Sequence, residues 1–237
     1  PLSHSLSMGD PADIAAQARQ LIDQGYRTLK AKIGRDIDAD IAALTAVRAE
    51  IGREITLRVD ANMGWPSAKE AVRHIEKIQA FDLELVEQPL PPDDIEGLRF
   101  VRERVDVPIM ADESVWTPTD AMQCVRHQAV DVFNVYVSEA GGLGPAARIF
   151  AIAEAARLPC TIGSMPELGI GTAAQAHLAF AMPNLGYASD VNGCVYHSGD
   201  VIAEKLPIKN GYLLPPPGPG LGVSLDEAAL AEYRFDR

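Results

Sequence analysis

The stretch of sequence that decides the fold runs from residue 29 to residue 114 and contains four similar runs: LKAKIG (29–34), LRVDAN (57–62), LVEQP (85–89) and MADES (110–114). Each run is short and apolar, it ends in charged residues, and a longer amphipathic segment separates it from the next. Short apolar runs that alternate with amphipathic segments predict parallel strands connected by helices. The stretch therefore predicts four consecutive β/α units.

The same alternation continues on both sides of this stretch. The apolar runs predict eight strands, at residues 2–7, 28–33, 55–59, 83–86, 108–111, 132–137, 160–163 and 187–191. The intervening segments predict seven helices, at residues 10–24, 37–51, 67–81, 95–104, 118–126, 145–157 and 170–181. Eight strands that alternate with helices favour a closed, TIM-like α/β barrel over the alternative, an open doubly wound sheet.

The length of 237 residues is typical of one barrel domain, so we predict a single catalytic domain over residues 1–237. Residues 205–237 are rich in Pro and Gly, and we expect this C-terminal tail to wrap back along the barrel. Regular structure is not expected over residues 215–220. The chain opens at Pro1 without an initiator Met, which we interpret as a sign of a fragment of a longer protein.

The overall charge restricts the class of partner. The formal net charge is −12, which argues against nucleic acid or an anionic membrane, because both require a basic surface. Only three cysteines are present, without CxxC spacing, which favours reduced thiols and a cytoplasmic protein. No apolar run is long enough to predict a membrane span.

The run GLGPAA at residues 142–147 fits a GxGxxA dinucleotide-binding pattern. That reading requires an acidic residue about 20 positions further on, at the end of the next strand. Thr161 to Ser164 stand near that spacing, with Glu167 slightly beyond it. We therefore favour a tight turn that leads into a helix.

Three carboxylates stand at the ends of three consecutive predicted strands. Glu87 follows Asp60 by 27 residues and Asp112 follows Glu87 by 25, which is one β/α unit each time. The carboxyl ends of barrel strands meet at one rim, so the three side chains are expected to converge there. Oxygen ligands without His or Cys favour a hard cation, Mg²⁺ or Mn²⁺. The alternative is three solvated acids without a metal.

Lys30 and Lys32 lie two positions apart on the second predicted strand and therefore face the same side of it. A pair of surface lysines is the alternative reading. At the end of a buried strand, a second nearby cation and partial burial are expected to lower a lysine pKa towards neutrality. A neutral amine is a competent general base at pH 7. Asn62 shares the parity of Asp60 and is expected to face the same site.

In their order, the motifs KxK (30–32), Asp-x-Asn (60–62), Glu-Gln-Pro (87–89) and Asp-Glu-Ser (112–114) resemble the muconate-lactonizing branch of the enolase superfamily, within the muconate lactonizing enzyme / mandelate racemase family. The resemblance extends over nearly the whole chain. It implies the C-terminal barrel domain of that family, a modified (β/α)7β barrel in which an eighth strand closes seven β/α units. It also implies Mg²⁺ on Asp60, Glu87 and Asp112, with Lys32 as the base and Lys30 beside it.

Two departures from the family pattern affect the expected chemistry. Members normally carry an N-terminal α+β capping domain over the barrel mouth, and this chain does not contain it, so we expect that domain as a partner within the full-length protein. The sixth strand commonly ends in a Lys, and Tyr136 takes that position here. Tyrosine is a poor base because its unperturbed pKa is about 10. It can still donate a hydrogen bond or a proton, and a purely packed Tyr136 is the alternative.

The resemblance implies further residues near the substrate. Glu113 belongs to the Asp-Glu-Ser motif, and Glu167 stands where the family has an acid close to the substrate. Asp190 and Asn192 form half of the Asp-x-Asp pattern with which relatives hold the ammonium group of amino acids or dipeptides. His4 is expected to reach the mouth from the first strand.

The predicted function is therefore Mg²⁺-dependent abstraction of the proton α to a carboxylate of a small acid, through an enediolate. Cycloisomerisation, dehydration and epimerisation are the reactions open to such a site. The alternatives are an amino-acid or dipeptide racemase or epimerase, and a non-catalytic binding protein on the same scaffold. We also expect a homo-oligomer.

Overall fold

The computed structural model describes residues 1–234 as a seven-stranded parallel sheet, in the order β1 to β7, with helices on its outer face. The strands are β1 (Ser3–Ser5), β2 (Thr28–Lys32), β3 (Thr56–Asp60), β4 (Leu83–Glu87), β5 (Ile109–Ala111), β6 (Val132–Val135) and β7 (Cys160–Ile162). The helices between and after them are α1 (Pro11–Asp23), α2 (Ile37–Ile51), α3 (Ala68–Ile78), α4 (Ile95–Arg102), α5 (Pro118–His127), α6 (Leu143–Ala155) and α7 (Gly169–Ala181). The predicted α/β class is confirmed.

Polar side chains fix where most of these helices begin. Asp10, Asp36 and Asp94 each accept a hydrogen bond from a backbone N–H in the first turn of the helix that follows. Such caps satisfy donors that have no partner inside the helix. The predicted helix over 67–81 begins as expected, because the Ser67 hydroxyl accepts from Glu70 N. Its last three residues, Gln79–Phe81, form a 3₁₀ turn instead.

The predicted eighth strand over residues 187–191 is not formed as a strand. Two isolated bridges form here, one between Leu185, just before this segment, and Cys160 on β7, and one between Ser189, within it, and Leu2 next to β1. Because the two bridges have different partners, no run of consecutive pairs develops. The Ser3 amide still donates to Ser189 O over 3.0 Å, and the Asp190 amide donates to Ile162 O over 2.8 Å. Residues 185–190 thus connect β7 and β1, the two edges of the sheet.

The core has two parts, as expected for a curled sheet with outer helices. A large cluster packs the outward side chains of the strands against the helices, with Trp65, Phe133 and Phe150 among its largest fully buried members. A small second cluster of Leu85, Met110 and Val132 packs with Tyr187.

The C-terminal tail begins to pack near the start of the chain. A short antiparallel hairpin, β8 (Ile208–Lys209) and β9 (Tyr212–Leu213), brings Gly211 O within 2.8 Å of the Leu2 amide. Residues 215–220 contain no helix or strand, as predicted. The last helix is α8 (Glu227–Tyr233), and residues 235–237 of the predicted tail lie outside the described residues. Within residues 1–234, every helix is too short or too polar to cross a lipid bilayer.

Gly64 allows the loops after β2 and β3 to approach each other closely. A Cβ atom at this position would overlap the carbonyl oxygen of Gly34, which belongs to the backbone and cannot rotate away. We expect Gly64→Ala to destabilise the fold by about 1–3 kcal/mol, as overpacking in a tight site does. Thermal and urea unfolding followed by circular dichroism measure the change.

Gly144 provides the matched control. It lies in α6, and a Cβ there would meet only the Arg148 side chain at 3.9 Å. Gly144→Ala is expected to change stability by less than about 1 kcal/mol, because the gain in helix propensity over Gly is offset by the restriction that Pro145 places on a preceding residue with a Cβ. Equal effects of the two substitutions would show that the loops at Gly64 have room to move.

Candidate active site

Three buried carboxylates converge at the carboxyl ends of β3, β4 and β5. Asp60 and Glu87 are the last residues of β3 and β4 and are register partners, and Asp112 directly follows β5. One oxygen of each lies within 4.8 Å of the other two, and the side chains are at most 3% exposed. The structure therefore places the three carboxylates together at one rim, as their spacing in the sequence predicts.

Burial disfavours the negative charges of this cluster, although Lys30 and Lys32 form ion pairs with two of its members, Asp60 and Glu87. Burial, followed by the charges of its acidic neighbours, raises the pKa of Glu87 and raises that of Asp112 well above its usual range. One oxygen of Asp112, Oδ1, is buried and has no hydrogen-bond partner among the described residues. An all-oxygen set with a free buried oxygen suits a hard cation such as Mg²⁺ or Mn²⁺.

Lys32 stands at the open side of the cluster. Its ammonium lies 2.6 Å from Asp60 Oδ2 and 2.8 Å from Asn62 Oδ1, and its side chain is 30% exposed. Asn62 in turn donates to Glu113 Oε1 over 3.4 Å. Burial, with the charge of Asp60 also contributing, raises the pKa of Glu113. The structure therefore places Lys32, Asn62 and Glu113 together beside Asp60.

Lys30 lies deeper and is surrounded by carboxylates. Its ammonium is 2.5 Å from Asp190 Oδ2, 3.1 Å from Glu87 Oε2 and 3.9 Å from Asp60 Oδ2. Burial lowers the pKa of Lys30, but the charges of these three residues outweigh burial and hold it well above its usual value. The expected fall in lysine pKa is therefore wrong for Lys30, because the neighbouring carboxylates dominate its environment.

Asn134 on β6 and Tyr136, the residue directly after β6, reach the cluster. The Tyr136 hydroxyl donates to Asp112 Oδ2 over 3.0 Å, and burial together with the charges of Asp112 and Glu87 raises its pKa well above its usual value. The Asn134 amide donates to Glu87 Oε1 over 2.9 Å. Sequence reasoning missed Asn134. It lies two positions before Tyr136 in the predicted strand and therefore faces the same side, which was the available signal.

Gln88 is a second residue whose role the sequence analysis missed. Its side chain is fully buried and its Oε1 accepts from the amides of Asp112 and Ser114 over 2.8 and 3.2 Å. Its Nε2 donates to Leu90 O and to the Ser114 hydroxyl, both over 2.8 Å. A polar residue directly after the buried end of β4 was the available signal. Gln88 ties the loop after β4 to the loop that carries Asp112.

Asp190 and Asn192 are occupied by contacts within the protein. Asp190 accepts hydrogen bonds from Lys30 and from the Ser3 hydroxyl. Burial raises the pKa of Asp190, but the charge and the hydrogen bond of Lys30 outweigh burial, so the pKa lies below its usual value. Asn192 is fully buried and donates to Ser3 O over 2.9 Å. Asn192 thus points towards the backbone of β1, away from the carboxylate cluster.

The structure does not bring His4 to the cluster. His4 is the register partner of Leu29, whereas Ser3 and Ser5 pair with Thr28 and Lys30. Because side chains alternate along a strand, His4 faces the outer side of the sheet. Its ring packs against Tyr26 and Tyr196, with centroids 5.0 and 4.9 Å apart.

Glu167 lies in the loop after β7. It accepts hydrogen bonds from the Ser138 hydroxyl, over 3.2 Å, and from the Ser164 hydroxyl. These contacts join the loops after β6 and β7 at the mouth. They do not include any of the three clustered carboxylates.

Comparison with known proteins places these features in a family. The family model described as "Enolase C-terminal domain-like" matches residues 13–229. The L-Ala-D/L-Glu epimerase of Bacillus subtilis is 38% identical over 223 residues, which are 93% of this chain and 60% of the relative. This chain thus spans about three fifths of the length of the curated relatives it matches.

Solved structures agree with this assignment. The muconate cycloisomerase from Pseudomonas fluorescens superposes with a TM-score of 0.95 at 33% identity, over 100% of this chain and 66% of that one. A dipeptide epimerase from Enterococcus faecalis V583, solved with Mg and the dipeptide L-Leu-L-Tyr, superposes with a TM-score of 0.89 at 36% identity, over 94% of this chain and 63% of that one.

Proposed function

Because the chain belongs to the enolase superfamily, as a member of its muconate lactonizing enzyme / mandelate racemase family, we propose that it is the (β/α)7β barrel of a Mg²⁺-dependent isomerase or lyase. The proposed reaction removes the proton α to the carboxylate of a small acid and passes through an enediolate. The observation that carries the proposal is the cluster of Asp60, Glu87 and Asp112 with Lys32 2.6 Å from Asp60. Mn²⁺ is a suitable replacement, since the donor set is all oxygen.

The residues of the cluster have distinct proposed roles. Asp60, Glu87 and Asp112 hold the cation, which supplies positive charge beside the substrate carboxylate. Lys32 removes or returns the α-proton, because its amine is partly exposed at the open side of the cluster. Lys30 is almost entirely buried and held by carboxylates, so it contributes positive charge to the site as an ammonium ion.

The environment of Tyr136 favours chemistry on one face of the substrate. Its hydroxyl already donates to Asp112, and its raised pKa means that it keeps its proton at pH 7. A racemase with two bases needs a group that exchanges protons easily on each face. We therefore propose cycloisomerisation or dehydration with Lys32 as the single base, ahead of epimerisation.

A second candidate is an amino-acid or dipeptide epimerase, favoured by the 38% identity to the Bacillus subtilis epimerase. A third, a non-catalytic binding protein on the same scaffold, rests on the Tyr at position 136 in place of a second base. The proposed activity belongs to the full-length protein, in which we propose that a capping domain closes the barrel mouth. We further propose a cytoplasmic homo-oligomer.

Proton exchange tests the proposed function without knowledge of the product. The chain, and the longer protein in parallel, would be incubated with Mg²⁺ in D₂O and with dipeptides, N-acylated amino acids, hydroxy acids or muconate. We expect NMR to show deuterium incorporation or product formation with at least one class, lost with EDTA and restored by Mg²⁺.

Two results would contradict this expectation. Exchange that persists in EDTA would exclude the metal-assisted reaction. Mg²⁺ binding and ligand binding without any exchange or turnover would favour the binding protein.

A further inference from the structure

Asn134 on β6 and Tyr136, the residue directly after that strand, contact two of the three clustered carboxylates. Asn134 donates to Glu87 Oε1, and Tyr136 donates to Asp112 Oδ2. The two donors are themselves linked, because the Asn134 amide lies 3.4 Å from the Tyr136 hydroxyl. Both side chains are at most 5% exposed, so water competes little for these bonds.

The hydrogen bond from the Tyr136 hydroxyl makes the two carboxylate oxygens of Asp112 different from each other. Oδ2 accepts the hydroxyl, whereas Oδ1 is buried and lacks a hydrogen-bond partner within residues 1–234. A carboxylate held at one oxygen loses freedom to rotate about its Cβ–Cγ bond. Oδ1 is therefore presented in one orientation, ready for a cation.

The Tyr136 ring is held in place from behind by β7 and α7. A Cβ atom at Gly163 would overlap the ring and would lie 2.7 Å from the hydroxyl oxygen, so the ring occupies the space that this glycine leaves. Gly163 is fixed by its own bonds, since its amide donates to Val135 O over 3.1 Å and its carbonyl accepts from Gln175 Nε2 over 2.9 Å. The ring position is thus determined by rigid elements.

We propose that Asn134 and Tyr136 are positioning residues that orient Glu87 and Asp112 for the cation, so that these two residues set metal affinity. This inference rests on the metal site of the proposed function. In this inference the Tyr136 hydroxyl acts by holding Asp112, one of the proposed metal ligands, in place. Hydrogen-bonding partners of metal ligands typically change metal affinity by about 10–100-fold when they are removed.

Metal binding to the metal-free chain provides the test, because it needs no substrate. We would measure Mg²⁺ affinity by isothermal titration calorimetry and Mn²⁺ affinity by electron paramagnetic resonance. Tyr136→Phe removes one oxygen atom, and Asn134→Leu removes the amide at similar volume. Each is expected to weaken binding about tenfold or more. Tyr196→Phe is the matched control, because its hydroxyl contacts Ser5 and His4 and should leave affinity unchanged.

Gly163→Ala tests the same contact from the other side. The added methyl group displaces the ring, so this variant should weaken metal binding in the presence of Tyr136. In a Tyr136→Ala background the ring is absent, and Gly163→Ala should then have little effect on affinity. A double-mutant cycle isolates this coupling. Circular dichroism on each variant separates loss of binding from loss of folding.

Distinct outcomes would overturn the inference. Metal affinity within twofold of the parent chain in folded Tyr136→Phe and Asn134→Leu would show that these two residues do not position the ligands, while the metal site itself would stand. Unchanged affinity with loss of exchange from one substrate enantiomer in Tyr136→Phe would make the tyrosine a second base. Absence of metal binding in the parent chain would overturn both this inference and the proposed function.

Discussion

Replacing Asp60, Glu87 or Asp112 with Ala is expected to abolish turnover and to weaken Mg²⁺ binding by at least about 100-fold. Each substitution removes one of the three proposed carboxylate ligands, and Mg²⁺ requires near-ideal coordination by hard donors. It also removes the charge that attracts the cation to a buried site. Isothermal titration calorimetry with the metal-free protein measures the binding, and proton exchange in D₂O measures the activity.

Two controls distinguish loss of the ligand from loss of the fold. Asp93→Ala removes an exposed acid from the loop after β4 and should change neither binding nor turnover. Glu87→Gln keeps the shape of the side chain, and Lys30 retains its ion pairs with Asp190 and Asp60, which limits the cost of removing one buried charge. If all three Ala variants fold and bind Mg²⁺ as the parent does, the metal site is wrongly assigned.

Lys32→Ala is expected to lower the rate of α-proton exchange by about 10²–10⁴-fold, the usual contribution of a positioned general base. The Lys32 amine is the partly exposed nitrogen at the cluster, whereas Lys30 is buried between carboxylates. Deuterium incorporation at the substrate α-carbon, followed by NMR, measures the effect. Mg²⁺ affinity should be retained, because Lys32 is not among the proposed ligands.

Lys32→Arg is the matched control for this prediction. It retains the positive charge beside Asp60, but an Arg side chain does not lose its proton at neutral pH. We therefore expect it to be as slow as Lys32→Ala. Parent-like exchange in either variant would assign the base to another residue, with Lys30 the first to examine.

Much of the fold was predictable because it follows from local patterns. The alternation of apolar and amphipathic segments placed seven of the eight predicted strands and all seven predicted helices, although not α8, and side chains such as Ser67 marked helix starts. The eighth strand failed as a prediction because, within residues 187–191, Ser189 bridges to Leu2 while the next amide, that of Asp190, bonds to Ile162 O on the other edge of the sheet. Which partner a short segment finds is a long-range property.

The site was predictable to the extent that it repeats the period of the fold. The spacing of Asp60, Glu87 and Asp112 by one β/α unit was sufficient to expect their convergence. His4 was misplaced because its parity was not used: in the predicted strand over residues 2–7 it shares a face with Leu2 and Leu6, which are buried in the large core cluster. Asn134 was missed because its hydrogen-bond partner, Glu87, is 47 residues away in the sequence and no local pattern predicts that contact.

The sequence by itself determined the α/β class, the order of the units and the three acids at one rim, because each depends on periodicity and on the common direction of parallel strands. The tertiary structure alone decided how these charges are compensated. Lys30 meets Asp190 from 160 residues away, and Tyr136 meets Asp112 from directly after the next strand. These contacts depend on how residues 185–190 connect the two edges of the sheet and on the space that Gly163 leaves for the Tyr136 ring. At 2.5–3 Å inside a low-dielectric core, electrostatic interactions outweigh the intrinsic pKa of each group.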